Sequence, residues 1–430
     1  MKIKKIVAVA MATAMALSVF ANGGAEKSGS KDGKVVLKIM GYGDNANAEG
    51  QTFKRICEEF MDENPDIVLD TELLYDEAYH QKVVARLAAG DVPDIAYMGA
   101  DARWGASWQE AGVQVDNTKF FPSNIDVASI PDFFGNGNRP YLPLGASNYC
   151  TVVAVNMQLL NKINGGKLPS TYKEFVELAA KCKAAGIECM STHGADGWVW
   201  GSCVMSGILP RTTGDLKWVE KAVQGKVKWT DAGAVAALDV LAQWVKDGIM
   251  SKDAVLVDDG TGKSNFANGK YLMYIDGQWA MGESSFGALA KDIKLIPIPQ
   301  VPGEKANAGA IAGAWQVGYG ITKAGASDPK KLEAAKKWLE YFFSTEEIIQ
   351  KLRDGAISAP ILKNFKLPND LDPCIAQKAT LGKYPSAYVI DSYLTGTPND
   401  ILNAGMQDIV AGKQTAKQVA EAVQKAFDAR

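Results

Sequence analysis

At 430 residues the chain is too long for a single hydrophobic core, so its length favours two lobes. A composition of 47% apolar and 22% charged residues is typical of a globular protein. A net charge of −3 without a basic run argues against nucleic-acid binding, and beyond the N-terminus no stretch is long and apolar enough to span a membrane.

The N-terminus predicts export. Three lysines within the first five residues precede an apolar run over 6–21, which is too short to span a bilayer comfortably. We place the signal peptide at 1–21, with cleavage after Ala21, and a Gly/Ser/Lys linker at 22–33. Because the first cysteine is Cys57, deep in the globular part, a free periplasmic protein is expected rather than a lipid-anchored one.

The elements that follow alternate between strand and helix. Strand-like runs at 35–40, 67–74 and 94–99 enclose amphipathic segments at 52–65 and 79–90, which is the β-α-β-α-β order of a parallel sheet. Further along, strands are predicted at 150–156, 271–275, 292–299 and 315–322. Helices are predicted at 171–186, with Ser170 as N-cap, and at 231–247, 330–344 and most of the tail from Asn399.

No motif indicates a catalytic, cofactor or metal site. GYGDNA (41–46) matches the dinucleotide fingerprint weakly, and GTGKS (260–264) is half of a phosphate-binding loop, which we interpret as a surface loop. The two histidines, His80 and His193, have no metal-ligand partner at useful spacing. Paired carboxylates for glycoside hydrolysis stay open, because their separation in space cannot be deduced from the sequence.

The placement of tryptophan favours a carbohydrate ligand. Several of the ten tryptophans fall in loops after strands, namely Trp104, Trp198, Trp200, Trp279 and Trp315, whereas Trp244 and Trp338 fit apolar helix faces and are expected in the core. Flat rings stack on the C–H faces of a sugar, and neighbouring Asp, Asn and Arg side chains bind its hydroxyls.

The cysteines leave one question open. None of the six forms a CxxC pair, and Cys182 and Cys189 flank a helix end where an exported protein can form a disulfide or keep buried thiols.

The order of motifs resembles the family 1 extracellular solute-binding proteins that serve ABC-type sugar importers, including the maltose-binding proteins. The segments that carry the resemblance are FKRICEEFMDENPDIVLD, VVARLAAGDVPDIAYMG, YLPLGASNYCTVVAVNMQLL, LPSTYKEFVELAAKCKAAGI, FANGKYLMYIDGQWA, AGAWQVGYGITKAG and AAKKWLEYFFSTEE. The resemblance implies a two-lobed α/β fold, in which each lobe is a mostly parallel sheet flanked by helices and the ligand lies in the cleft between them. By analogy the N-lobe holds 34–147 and 300–344, and the C-lobe 148–299 and 345–430.

The resemblance also implies which residues bind ligand. They are Tyr42, Asp44, Asn45, Asp101, Arg103, Trp104, Asn148, Tyr149, Trp198, Trp200, Asp276, Trp279 and Trp315. Relatives of the maltose-binding type carry an Asp-Arg pair near 101–103, but here Ala102 intervenes and the role of Arg103 is open.

The predicted function is capture of a mono- or oligosaccharide for an ABC permease in the inner membrane, by a monomer that needs no cofactor or metal and is not an enzyme. Two alternatives remain: the same fold binding a polyol, a phosphorylated polyol or a peptide, and an exported glycoside-processing enzyme.

Overall fold

A computed structural model describes residues 33–45, 47–133 and 136–429. The predicted signal peptide and linker residues 22–32 lie outside the described residues, as does Ala46 of the GYGDNA motif. Within the described ranges the strands are β1 (Val35–Tyr42), β2 (Ile67–Leu74), β3 (Ile95–Met98), β4 (Leu142–Pro143), β5 (Asn148–Tyr149), β6 (Val152–Asn156), β7 (Glu188–Ser191), β8 (Tyr271–Asp276), β9 (Ile293–Ile296), β10 (Ile311–Ala314), β11 (Gly318–Ile321) and β12 (Ser386–Ala387). The α-helices are α1 (Ala48–Glu63), α2 (Glu77–Ala88), α3 (Ala106–Glu110), α4 (Met157–Asn164), α5 (Tyr172–Ala184), α6 (Ser206–Thr213), α7 (Trp218–Val223), α8 (Ala232–Lys246), α9 (Asp259–Ala267), α10 (Glu283–Phe286), α11 (Lys323–Ser327), α12 (Pro329–Phe342), α13 (Thr345–Arg353), α14 (Pro373–Lys378), α15 (Thr397–Val410) and α16 (Ala416–Asp428).

The first lobe is built on a five-stranded sheet in the order β2-β1-β3-β11-β4. The pairs β1–β2 and β1–β3 are parallel, as predicted, whereas β11 runs antiparallel to β3 and β4. Helix α1 packs Phe53, Ile56 and Phe60 against this sheet and begins where the Asn47 side chain accepts the Gly50 N–H. The carboxyl ends of β1 and β3 therefore open on the same edge of the lobe.

The second lobe is built on a four-stranded sheet in the order β7-β8-β6-β9. Only the β7–β8 pair is parallel, so this sheet is mixed rather than mostly parallel. Its large core includes Trp244 from α8, and Trp338 lies in the core of the first lobe, which confirms the core prediction for both tryptophans. Strand β8 ends at Asp276 and leads directly into the turn that carries Trp279.

A third sheet joins the lobes. It consists of three short strands in the order β12-β10-β5, in which β10 pairs antiparallel with β5 and parallel with β12. These strands come from three distant parts of the chain, as expected for connections that cross between two lobes. Asn148, Tyr149 and Trp315 are thereby held next to the crossing point.

Three local predictions are wrong. The N-cap of α5 is Thr171, whose hydroxyl accepts the Glu174 N–H, rather than Ser170. Residues 260–264 are part of α9, because Asp258 caps a helix there by accepting the Thr261 N–H. The predicted strand at 315–322 is shorter, and Trp315 lies between β10 and β11.

The lobe boundary stays a proposal, and the packing suggests one change. Ile348, Leu352, Ile357, Ile361 and Leu362 belong to the hydrophobic core of the first lobe, although the analogy assigned them to the second. Helix α13 follows α12 directly and buries its apolar face on the same core. We therefore propose that the first lobe continues past residue 344 to at least residue 362.

Within the described residues no helix is long and apolar enough to cross a membrane. The six cysteines are buried thiols in this structure. Cys182 and Cys189 are neighbours, and the hydrogen bond from the Cys189 side chain lowers the pKa of Cys182.

Candidate functional site

Two adjoining cavities lie between the lobes. The smaller cavity has a volume of about 170 Å³ and the larger cavity about 830 Å³. Asp101, Trp315 and Ser392 line both, so the two form one continuous cleft. The larger cavity falls within the ~300–1,000 Å³ that small-molecule sites usually enclose.

A cluster of aromatic rings forms the first-lobe wall of the smaller cavity. Tyr42, at the end of β1, stacks on Tyr97 with ring centroids 5.2 Å apart and meets Trp104 edge-on at 5.1 Å. Tyr75 follows β2 and packs on Tyr42 at 5.2 Å. These rings support one another and need little rearrangement to receive a ligand.

Glu49 is an acidic group in this wall that the sequence analysis missed. It lies in the first turn of α1 and accepts a hydrogen bond of 2.6 Å from the Tyr97 hydroxyl. Burial raises the pKa of Glu49 to about 7. The carboxyl group can therefore act as donor or acceptor near neutral pH.

Asp101 connects the two lobes. One carboxylate oxygen accepts the Trp104 N–H at 2.9 Å, and the other accepts the Ser392 hydroxyl of the second lobe at 2.8 Å. The backbone N–H of Ala102 also donates to the Ser392 carbonyl at 3.1 Å. Burial raises the pKa of Asp101 to about 6. The lobes thus touch across the cleft.

The cationic side chains of the smaller cavity are already paired. The Arg103 guanidinium lies 2.6 Å from Glu77 and 3.9 Å from Asp76, and the Lys263 ammonium lies 2.8 Å from Asp259. Arg103 therefore lines the cleft although Ala102 separates it from Asp101. Around these two cations the cavity is lined by four carboxyl groups, those of Glu49, Asp76, Asp101 and Asp391.

Two tryptophans form the second-lobe wall. The rings of Trp198 and Trp279 lie 5.9 Å apart at 49° to each other, and both line the smaller cavity. Gly277 makes the position of Trp279 possible, because a Cβ at residue 277 would lie 2.2 Å from the indole ring. The Asp-Gly-Gln-Trp sequence therefore turns the indole back over the end of β8.

Nine of the thirteen proposed site residues line one of the two cavities. Eight of them line the smaller cavity: Tyr42, Asp101, Arg103, Trp104, Asn148, Trp198, Trp279 and Trp315. Tyr149 lines the larger cavity. Asp44 and Asn45 do not line either cavity; Asp44 accepts the Asn47 N–H at the start of α1, and Asn45 is exposed beside Lys54.

Trp200 and Asp276 lie elsewhere. Trp200 is fully buried in the second-lobe core, where its indole N–H donates to the Gly194 carbonyl at 2.9 Å. Asp276 is fully buried as well, with one oxygen 3.3 Å from His193 Nε2. Burial alone would lower the pKa of His193, but the carboxylates of Asp276 and Asp196 raise it to about 10. Neither residue is retained in the proposed site.

The larger cavity contains tyrosines that sequence reasoning missed. Tyr384, Tyr388 and Tyr393 line it, and the last two stack at 4.8 Å and 17°. The signal was present in KYPSAYVIDSYLTG (383–396), where three tyrosines lie between turn residues.

Comparisons with known proteins agree with this architecture. A family model described as "Bacterial extracellular solute-binding protein" matches residues 43–348. A "Multiple sugar-binding protein" from Streptococcus mutans is 25% identical over 345 residues, covering 76% of this chain and 75% of that protein. The "sn-glycerol-3-phosphate-binding periplasmic protein UgpB" of Escherichia coli K12 is 26% identical over 167 residues, 35% of this chain and 36% of that protein.

Among solved structures, a "Chitin oligosaccharide binding protein" superposes with a TM-score of 0.78 at 22% identity, covering 92% of this chain and 98% of that one. At this level of identity the likeness shows the fold alone, and it confirms the predicted two-lobed α/β class.

Proposed function

The chain belongs to the bacterial extracellular solute-binding protein family, and on that premise we propose that it is the substrate-binding component of an ABC-type importer for a carbohydrate. The protein is exported to the periplasm by a cleaved signal peptide, acts as a monomer and delivers its ligand to a permease in the inner membrane. The similarity to a multiple sugar-binding protein supports this assignment.

One observation carries the proposal: the smaller cavity is lined from both lobes by aromatic rings and by hydrogen-bonding carboxyl and amide groups. Trp104 of the first lobe and Trp279 of the second contribute aromatic rings to this cavity, and Asp101 and Asn148 contribute polar atoms to it. A sugar has apolar ring faces and a rim of hydroxyls, so it matches both kinds of group. A ligand that touches both lobes stabilises the closed state through its differential affinity.

A phosphorylated polyol is the second candidate, because a glycerol-3-phosphate-binding protein is among the relatives. The charges of the cleft disfavour it. Arg103 and Lys263 are paired with the carboxylates of Asp76, Glu77 and Asp259, and three further carboxyl groups line the cavity, so a phosphate would meet net negative potential.

A screen of sugars tests the function. The purified protein, stripped of ligand by unfolding and refolding, is titrated calorimetrically with mono-, di- and oligosaccharides, polyols and glycerol 3-phosphate. We expect saturable binding of a neutral sugar, a rise in Tm and recovery of the ligand unaltered. Binding of glycerol 3-phosphate alone would favour the second candidate, and a cleaved sugar would favour a glycoside-processing enzyme.

A further inference from the structure

Two cysteines of the second lobe lie close together at the end of a helix. Cys182 belongs to the last turn of α5, and Cys189 belongs to β7, the strand that follows α5. Both side chains are fully buried in the hydrophobic core of the second lobe, and both are thiols in this structure. We call Cys182 and Cys189 the cysteine pair.

The backbone between the two cysteines has a defined geometry. The Ile187 N–H donates to the Cys182 carbonyl at 3.1 Å. The Gly186 N–H donates to the Lys183 carbonyl, also at 3.1 Å. With Gly186 at a φ of 74°, these two bonds form the Schellman motif that ends many helices. The motif places Ile187 beside Cys182, and β7, which packs on α5, begins at the next residue. Cys189 therefore comes next to the last turn of α5.

The two thiols lie within hydrogen-bonding distance of each other. This contact lowers the pKa of the Cys182 thiol and raises the pKa of the Cys189 thiol, which burial raises further. A disulfide needs two cysteines whose Cα atoms lie within about 7 Å and whose side chains point toward each other. The contact between the thiols shows that these side chains do, and the backbone motif holds them there.

We propose that Cys182 and Cys189 form a disulfide when the chain folds in an oxidising compartment. Disulfides form and persist outside the reducing cytoplasm, and the family to which the chain belongs is extracellular. The proposal rests on the proposed export of the chain and not on the nature of its ligand.

The other cysteines differ from this pair. Among the described residues, no other two cysteines are joined by a hydrogen bond. The Cys150 thiol donates to the Asn148 carbonyl at 3.6 Å, and the Cys203 thiol lies 3.9 Å from a carboxylate oxygen of Asp276. We therefore expect one disulfide and four remaining thiols.

The bond forms by exchange with an external disulfide, the class of oxidant found in such compartments. Because its pKa is lowered, the Cys182 sulfur loses its proton first and attacks one sulfur of the oxidant. The other sulfur of the oxidant leaves as a thiolate and takes up that proton. The Cys189 sulfur then attacks the Cys182 sulfur of this mixed disulfide, and the second thiolate leaves with the Cys189 proton. The cysteine pair loses two electrons, and the external disulfide is reduced to two thiols.

Burial determines when this exchange occurs. Both thiols are inaccessible once the core has closed, so the bond must form during folding, and afterwards the core shields it from reductants. The disulfide would connect α5 to the sheet in which β7 and β8 lead toward Trp198 and Trp279. Neither cysteine lines either cavity, so sugar affinity should not depend on the bond.

Refolding in a glutathione buffer tests the proposal. The exported protein, unfolded and fully reduced, is refolded with equal concentrations of reduced and oxidised glutathione, and the folded fraction is isolated by gel filtration. Free thiols are then blocked with an alkylating agent in denaturant, and the peptides are mapped by mass spectrometry without reduction. We expect Cys182 and Cys189 to be linked and the other cysteines to be alkylated. The linked protein should melt roughly 3–10 °C above protein refolded with a reductant.

Cys203→Ala is the matched control, because Cys203 is a fully buried thiol of the same core. It should keep the linked pair and the difference in Tm between oxidised and reduced protein, whereas Cys189→Ala should lose both. Alkylation of Cys182 and Cys189 in the refolded parent, or a link from either to another cysteine, would overturn the proposal. Sugar titrations of the oxidised and reduced parent should agree, and absence of binding in both would count against the proposed function alone.

Discussion

The two walls of the cleft are built differently. The first-lobe wall is a mutually packed set of rings, Tyr42, Tyr97 and Trp104, with carboxyl groups at its edge. The second-lobe wall is a pair of tryptophans, Trp198 and Trp279, placed by loops that cover a buried charged group.

The difference shows where each wall obtains its rigidity. In the first lobe the binding rings hold one another, so the loss of one ring disturbs its neighbours. In the second lobe the Trp279 ring depends on Gly277 behind it, because a Cβ at that position would collide with the indole. Binding and stability should therefore be separable in the second wall and coupled in the first.

The largest expected effect tests that separation. Trp200→Ala removes a fully buried indole and its hydrogen bond to Gly194, so the free energy of unfolding should fall by about 3–5 kcal/mol. Urea denaturation of the free protein measures this change. Sugar affinity of the protein that remains folded should change little. A large loss of affinity with unchanged stability would instead return Trp200 to the ligand site.

Trp279→Ala should have the opposite effect to Trp200→Ala: sugar affinity should fall more than the stability of the fold. The ring faces the cavity, and losing a stacked aromatic surface should cost about 2–3 kcal/mol of binding, roughly 30–150-fold in Kd. Calorimetric titration with the sugar identified in the screen measures it. Trp218→Ala is a useful control, because Trp218 packs on Trp229 in the same lobe and does not line the cleft. If both variants lose affinity equally, the stacking role of Trp279 is wrong.

The sequence predicted the fold and the aromatic character of the proposed site better than it predicted which individual residues line the cleft. Alternating strands and helices, with tryptophans after strand ends, indicated both the α/β class and an aromatic cleft. The sequence did not distinguish Trp198 from Trp200. Trp198 lines the cavity, whereas Trp200, two residues later, lies in the core. The π-helical turn at Trp200–Met205 that separates the two rings has no clear sequence signal.

Contacts between residues far apart in the chain could also not be predicted from the sequence. The resemblance predicts that Asp276 binds ligand, but its partner His193 lies 83 residues earlier and becomes a neighbour only through the pairing of β7 with β8. Glu49 was missed because an acid in the first turn of a helix is common. Only the packing of Tyr97 against α1 makes it a half-buried cleft residue.

The titration of Glu49 tests whether a group in the first-lobe wall also contributes to the stability of the fold. Its pKa is raised from the ordinary 4.5 to about 7, so the folded state binds a proton more tightly than the unfolded state. The stabilisation is full below pH 4.5 and is lost as pH rises to 7. We expect about 1–2 kcal/mol, less than the full shift would give, because Glu49 is half-buried and faces the cavity. The free energies of unfolding of the parent and of Glu49→Gln, measured between pH 4.5 and pH 7, should change relative to each other by this amount. Parallel pH dependences of the two proteins would contradict the raised pKa of Glu49.

The smallest expected effect concerns the contact between the walls. Ser392→Ala removes the hydroxyl that donates to Asp101 across the cleft but leaves the backbone bond from Ala102 to the Ser392 carbonyl. One neutral-to-charged hydrogen bond is worth about 1–2 kcal/mol, so the free protein should shift toward an open state, visible as a larger radius of gyration in small-angle scattering. Ligand binding should restore the closed dimensions, since the sugar supplies its own bridge. Ser285→Ala, at a serine that also lines the smaller cavity but belongs to α10, should leave the scattering of the free protein unchanged. If Ser392→Ala scatters like the parent without ligand, the carboxylate–hydroxyl contact does not hold the lobes together.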